Sequence, residues 1–90
     1  MTHWQFLITP EAEEDLTKLD RSVRKRVIQK LRWLVDNFED VPPLPLAGDW
    51  SGYFKLRVGD WRIIYEVEHE RQRVVVHHIG RRDEIYKRRR

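Results

Sequence analysis

The sequence predicts an α+β domain of the order β-α-α-β-β-β, an N-terminal strand and a helical hairpin packed on one face of an antiparallel sheet. Three observations predict it. The opening residues alternate apolar and polar, residues 10–38 carry apolar side chains at helical spacing, and the second half holds three alternating runs separated by turn residues.

Each element has its own signal. From His3 to Ile8, Trp4, Phe6 and Ile8 share one face of a short strand. Thr9 and Pro10 read as N-cap and first helical residue, and the acids that follow suit a helix N-terminus. Ala12, Leu16 and Leu19 form the apolar stripe of that first helix. A second helix begins after Asp20, with Val23, Val27, Leu31, Leu34, Val35 and Phe38 on one side. Arg21, Arg24, Lys25, Lys30 and Arg32 cover much of the rest.

The helix stops before Val41-Pro42-Pro43-Leu44-Pro45, because proline cannot continue it. Such a stretch can serve as a ligand for a proline-binding domain; the reading adopted is a stiff connector, pinned over the edge of the core by Leu44, Leu46 and Trp50. Strands follow at Tyr53 to Val58 and Trp61 to Val67, joined by a Gly59-Asp60 hairpin loop. A third runs from Arg73 to Ile79, after a charged turn around His69-Glu70-Arg71.

The hairpin loop sets a register. Val58 pairs with Trp61, Leu56 with Ile63 and Phe54 with Tyr65, so the apolar side chains fall on one face. The other face receives Arg57 opposite Arg62, Lys55 opposite Ile64 and Tyr53 opposite Glu66. A slip of one residue would destroy this segregation. Lys and Arg are ordinary occupants of a wet sheet face. Arg57 directly opposite Arg62 nevertheless costs about a few tenths of a kcal/mol, which a bound polyanion would remove. The planar guanidinium also matches phosphate geometry.

Composition bounds the rest. The chain has 90 residues, read as a single domain spanning 1–90, with 37 % charged and 40 % hydrophobic residues, a globular rather than a disordered balance. Its net charge of +3 biases it towards acidic partners. The sequence contains no cysteine, which excludes disulfides, thiolate metal ligands and a cysteine nucleophile, and suits a cytoplasmic location. Met1 to Thr9 lacks a basic segment followed by a long apolar run, so no signal peptide is expected. No apolar stretch approaches the roughly 18 residues of a membrane span, and no membrane partner is expected.

The tail, His77-His78-Ile79-Gly80-Arg81-Arg82-Asp83-Glu84-Ile85-Tyr86, leads from the last strand into a basic end. Here the motifs combine. "GYFKLRVGDWRIIYEV" followed by "IGRRDEIY" resembles the RelE/ParE superfamily of bacterial toxins, nearer its RelE branch. "TPEAEEDL", "LDRSVRKRVIQKL" and "PLAGDWSG" extend the resemblance over almost the whole chain.

The resemblance implies the toxin of a type II toxin–antitoxin system, a ribosome-dependent endoribonuclease that cleaves mRNA in the A site. The RNA 2′-hydroxyl is the implied nucleophile, leaving a 2′,3′-cyclic phosphate with no metal or other cofactor. The implied partners are a cognate antitoxin, in a higher-order heteromer, together with the ribosome and mRNA. Carried over residue by residue, the catalytic set is Lys55, Arg62, Arg82 and Tyr86. Arg57, Tyr53, Arg81 and His78 are the implied RNA- or phosphate-binding residues. Clustered cations would stabilise charge growing at phosphorus, Lys55 is a candidate base, and Tyr86 could orient the phosphate or stack on a base.

Two positions depart from the family. Tyr53 stands where some relatives carry a second Lys, and Arg81 where many carry His. By strand parity His78 shares a side with Gly80 and Arg82, whereas His77 shares one with Val75 and Ile79 and reads as a partly buried, satisfied histidine. No carboxylate stands near them at ligand spacing, so a metal site is not expected. The basic second helix and Lys87-Arg88-Arg89-Arg90 read equally as solvated surface or as contacts to RNA phosphates. The alternative function is that of a ParE-like toxin, binding and poisoning DNA gyrase without nuclease activity. A fold shared by both cannot decide between them.

Overall fold

The computed structural model describes residues 3–87. Strand β1 (Gln5–Ile8) leads into helices α1 (Pro10–Thr17) and α2 (Arg21–Asp36). Strands β2 (Leu44–Pro45), β3 (Phe54–Val58), β4 (Trp61–Glu68) and β5 (Arg73–Arg81) follow, with single 3-10 turns at Phe38–Asp40, Gly48–Trp50 and Ile85–Lys87. The expected order is present, with one addition: the proline connector contributes the two-residue β2. No helix among the described residues is long and apolar enough to cross a membrane.

Local chemistry sets the helix ends. The Thr9 side-chain oxygen accepts a hydrogen bond from the Ala12 amide at 3.2 Å, with Pro10 at the first helical position and Glu11 and Glu13 in the first turn. The first turn of α2 carries no acid, and Arg24 instead reaches back to the Leu19 carbonyl at 3.1 Å. Helix α2 closes where the Asn37 side-chain amide donates to the Trp33 carbonyl at 2.8 Å.

The sheet has five strands in the order β1-β5-β4-β3-β2. It is mixed rather than wholly antiparallel, because β1 runs parallel to β5, from Gln5 opposite Arg73 to Ile8 opposite Val76. The helical hairpin between β1 and β2 carries the chain across one face of the sheet. Where β1 leaves the edge of β5, α1 takes over: the Asp15 carboxylate accepts from the Ile79 amide at 2.9 Å, so this edge amide is satisfied by a side chain.

The main core lies between the helices and the sheet. Leu16, Val27, Leu31 and Leu34 pack against Leu56, Ile63, Tyr65, Val74, Val76 and Ile79. Trp4 stacks on Phe38 at a centroid distance of 3.9 Å and donates through its indole nitrogen to Glu39 at 2.9 Å. Trp61 packs at the margin of this core, as its register predicts.

The far face of the sheet is not left wholly to solvent. Ile64 points away from the helices and is completely buried with Trp50 and Ile85; Leu46 and Tyr53 pack against them. The connector therefore crosses to this second face instead of pinning the edge of the main core, and Leu44 remains 41 % exposed. The physical reason is Ile64: an isoleucine on the outer face has to be covered, and Trp50 and Ile85 cover it.

Candidate active site

The β3–β4 hairpin has the register its alternation predicts. Phe54 faces Tyr65, Lys55 faces Ile64, Leu56 faces Ile63, Arg57 faces Arg62 and Val58 faces Trp61. Gly59 takes φ of +59°, and Asp60 keeps a negative φ, the pattern of a Gly-first two-residue turn whose twist matches the strands.

On the face away from the helices, pairing lays the polar residues out in rows. Lys55, Ile64 and His78 form one row, and Arg57, Arg62 and Gly80 the next. Successive rows are ~7 Å apart along the strands. Past the second row the backbone amide of Arg82 donates to the Asp60 carbonyl at 2.9 Å, so Arg82 stands at the hairpin turn. Lys55, Arg57 and Arg62 thus occupy neighbouring positions at the hairpin end of the outer face, and the backbone of Arg82 is tied to the hairpin turn.

The like charges of Arg57 and Arg62 diverge. The Arg62 guanidinium folds onto its own turn, its Nη1 donating to the Gly59 carbonyl at 2.7 Å and the Trp61 carbonyl at 2.8 Å. Arg57 borders an open cleft of about 420 Å³ towards α2, shared with Arg26, Gln29, Lys30 and Trp33. Such a face can hold a phosphodiester between a fixed guanidinium and mobile cations.

Tyr86 belongs to the turn after β5. Its neighbour Ile85 is fully buried with Ile64 and Trp50, its own carbonyl accepts from the Trp50 indole at 3.2 Å, and its side chain is exposed. Arg81 is set apart. It pairs with Trp61, lies 5.7 Å from the centroid of that ring and meets Asp83 at 3.8 Å, all on the helix side. His78 is buried, edge-on to Trp50 at 5.4 Å, with Glu11 at 3.9 Å. Neither residue is brought to the open basic surface.

His77 is partly buried and satisfied, as expected, but parity holds for it with Val75 and not with Ile79, and the cause is a β-bulge. Ile64 pairs with His78 but Tyr65 with Val76, so β5 accommodates one extra residue, His77. His77 shares the outer face with Val75, and the bulge sets His78 on that face beside it. His77 Nε2 lies 3.0 Å from Glu66 Oε1, and the His77 ring meets Tyr53 edge-on at 5.2 Å.

Helix α2 presents a second basic surface. Arg21, Arg24, Lys25, Arg26 and Arg32 are exposed, and among the described residues none of them has a carboxylate within ion-pair distance. Lys30 lies over the exposed Trp33 ring at 3.9 Å. Arg88, Arg89 and Arg90, part of the expected basic end, fall outside the described residues. Among those described, no three His, Cys, Asp or Glu side chains are grouped as metal ligands.

Comparison with known proteins places this architecture. A family model described as the ParE toxin of a type II toxin–antitoxin system matches residues 6–86. Toxin RelE of Mycobacterium tuberculosis is 29 % identical over 84 residues, covering 93 % of this chain and 87 % of the relative. A chain of the RelBE2 toxin–antitoxin complex from the same organism superposes with a TM-score of 0.79 at 26 % identity, over 88 % of this chain and 98 % of that one. The isolated Escherichia coli RelE toxin shares the fold, with a TM-score of 0.71 at 21 % identity over 87 % of this chain and 83 % of its own.

Proposed function

The chain belongs to the ParE toxin family of type II toxin–antitoxin systems, and from that membership we propose that it is a ribosome-dependent endoribonuclease of the RelE kind. It cleaves mRNA in the ribosomal A site and so stops translation. The observation that supports this reading is the placement of Lys55, Arg57 and Arg62 at neighbouring positions of the β3–β4 hairpin, with the backbone of Arg82 tied to its turn. A gyrase-binding toxin needs no such cluster, whereas phosphoryl transfer depends on cations aimed at the charge that develops on phosphorus.

In this reading the RNA 2′-oxygen attacks the adjacent phosphorus, and a 2′,3′-cyclic phosphate and a free 5′-hydroxyl result. Arg62, held by two turn carbonyls, is preorganised to bind a phosphate oxygen. Lys55 and Arg57 add charge from the neighbouring strand, and Arg82 stabilises the departing 5′-oxygen. The exposed cations of α2 supply salt-sensitive, sequence-blind attachment to ribosomal RNA. A cognate antitoxin of the RelB type neutralises the toxin in a higher-order complex, and the reaction proceeds in the cytoplasm.

The test uses purified protein, ribosomes programmed with a defined message, and primer extension to map new 5′ ends. Cuts in the A-site codon that require the ribosome and vanish in Arg82→Ala establish the reading. An intact message overturns it and directs the next assay to gyrase supercoiling.

A further inference from the structure

We propose that the cleft between helix α2 and the edge of strand β3 is a nucleotide subsite, where Trp33 stacks an unpaired base of the message and Arg26, Lys30 and Arg57 hold its phosphates. The inference rests on the RNA-cleaving reading and gives a place to a nucleotide flanking the cut.

Trp33 stands apart from the other tryptophans. Trp4 and Trp50 are buried and donate through their indole nitrogens to Glu39 and to the Tyr86 carbonyl, and Trp61 packs at the margin of the core. Trp33 is 41 % exposed, and its indole nitrogen has no hydrogen-bond partner among the described residues. The buried stripe of α2 is made by Val27, Leu31, Leu34 and Val35, and Trp33 lies off it. A large aromatic ring left in water forgoes the apolar burial that ordinarily favours it. Stacking on a base recovers that burial, and every base of a single strand offers a flat face.

The cleft comes from the uneven edge of the sheet. Strand β2 pairs only with Phe54 and Lys55. Beyond Lys55 the outer edge of β3 has no strand partner among the described residues, and a space of about 420 Å³ opens between it and α2. Arg57, Val58 and Gly59 line the sheet side; Arg26, Lys30 and Trp33 line the helix side.

The charges suit a nucleotide. Among the described residues, no carboxylate lies within ion-pair distance of Arg26, Lys30 or Arg57. Arg26 reaches from α2 to the hairpin turn, where the bare Gly59 leaves its guanidinium room: a Cβ there would stand 2.6 Å from Nη2. Lys30 lies over the Trp33 ring at 3.9 Å. At an exposed site that hold is weak, so a base can take its place and free the ammonium for a phosphate. Arg57 lines this cleft and also pairs with Arg62 across the hairpin. That continuity with the basic hairpin makes the message the strand that fills the cleft.

The experiment titrates wild type, Trp33→Leu and Trp33→Phe with two labelled 2′-O-methyl strands, one intact and one abasic, read by fluorescence anisotropy. Urea unfolding verifies the fold of each variant. Wild type is expected to bind the intact strand more tightly than the abasic one. Trp33→Leu is expected to lose about 10-fold on the intact strand and little on the abasic strand, and Trp33→Phe to keep most of the affinity. On programmed ribosomes Trp33→Leu is expected to raise the half-saturating toxin concentration by a similar factor. A single abasic residue, moved through the message positions flanking the cut, is expected to do the same at one position, and there the two losses are not additive. Additive losses at every position overturn the assignment to the message. A folded Trp33→Leu that binds both strands as wild type does overturns the subsite, as does one that loses its antitoxin but keeps RNA. A wild type that cuts no message overturns the RNA-cleaving reading, while a base-dependent loss in Trp33→Leu still shows the subsite.

Discussion

The backbone amide of Arg82 donates to the carbonyl oxygen of Asp60 at 2.9 Å, tying the residue that follows β5 to the turn between β3 and β4. Two segments that are 22 positions apart in sequence (82 − 60) are thereby held at one end of the sheet. The Arg62 guanidinium clasps the same turn through Gly59 and Trp61. The Arg82 tie is made by backbone alone and survives a change of its side chain, whereas the Arg62 clasp is made by the side chain.

Arg62→Ala and Arg82→Ala should each lower cleavage by about 100-fold to 1,000-fold; the urea midpoint should stay close to wild type for Arg82→Ala and fall modestly for Arg62→Ala, which loses two hydrogen bonds to the turn. Both side chains are partly or fully exposed, and the Arg82 tie runs through its amide. Retained cleavage in either variant, measured by primer extension, would show that the residue has no part in the chemistry.

The turn itself offers a sharper structural test. Gly59 holds φ of +59°, and a Cβ added there would stand 2.6 Å from Arg26 Nη2. The guanidinium is the far end of a flexible side chain and can swing aside, so the backbone conformation sets most of the cost. Gly59→Ala should destabilise the domain by about 1–2 kcal/mol, read as a lowered urea midpoint. Gly59→Asn should lose less, since Asn tolerates this region.

Much of this hairpin was legible in the sequence, because two independent signals agreed. A Gly-Asp loop and strict alternation on both sides leave one register that segregates Phe54, Leu56 and Val58 from Lys55 and Arg57. His77 was half legible: it is the partly buried, satisfied histidine expected, with Glu66 as its partner. Val74-Val75-Val76 is apolar at every position, so alternation could not locate the extra residue, and parity was right to group His77 with Val75 but not with Ile79. The second apolar layer was only half hidden. Ile64 fell opposite Lys55 on the polar face, and a single misplaced isoleucine was the trace of the Trp50 and Ile85 cover. The parallel pairing of β1 with β5 left no local mark, since it depends on where the helical hairpin returns the chain.

The cover over Ile64 predicts a separable defect. Ile64 is fully buried, and Ile64→Ala should cost about 2–5 kcal/mol. Ile85→Ala empties the same cluster from the C-terminal side and should release the turn bearing Tyr86. It is expected to depress cleavage more than it depresses the stability of the helix-side core, monitored by hydrogen exchange of the amides of Val27 and Leu31. Equal loss of protection in both layers would refute the separation.

Alkaline pH probes the other layer. Tyr65 is 1 % exposed, and burial pushes its phenol from 10.0 up to about 12. The neutral phenol is favoured in the folded chain, so the stabilisation is fully present below pH 10 and is lost as pH rises towards 12. Integrated over that window, a shift from 10.0 to about 12 corresponds to roughly 3 kcal/mol. The readout is a difference between two chains that share every other group. Urea unfolding of wild type and Tyr65→Phe should show a gap that narrows in favour of the phenylalanine variant between pH 9 and pH 11.5. A gap constant across that range would mean that Tyr65 ionises as freely folded as unfolded, and that the packing of β4 against the helices leaves its hydroxyl open to water.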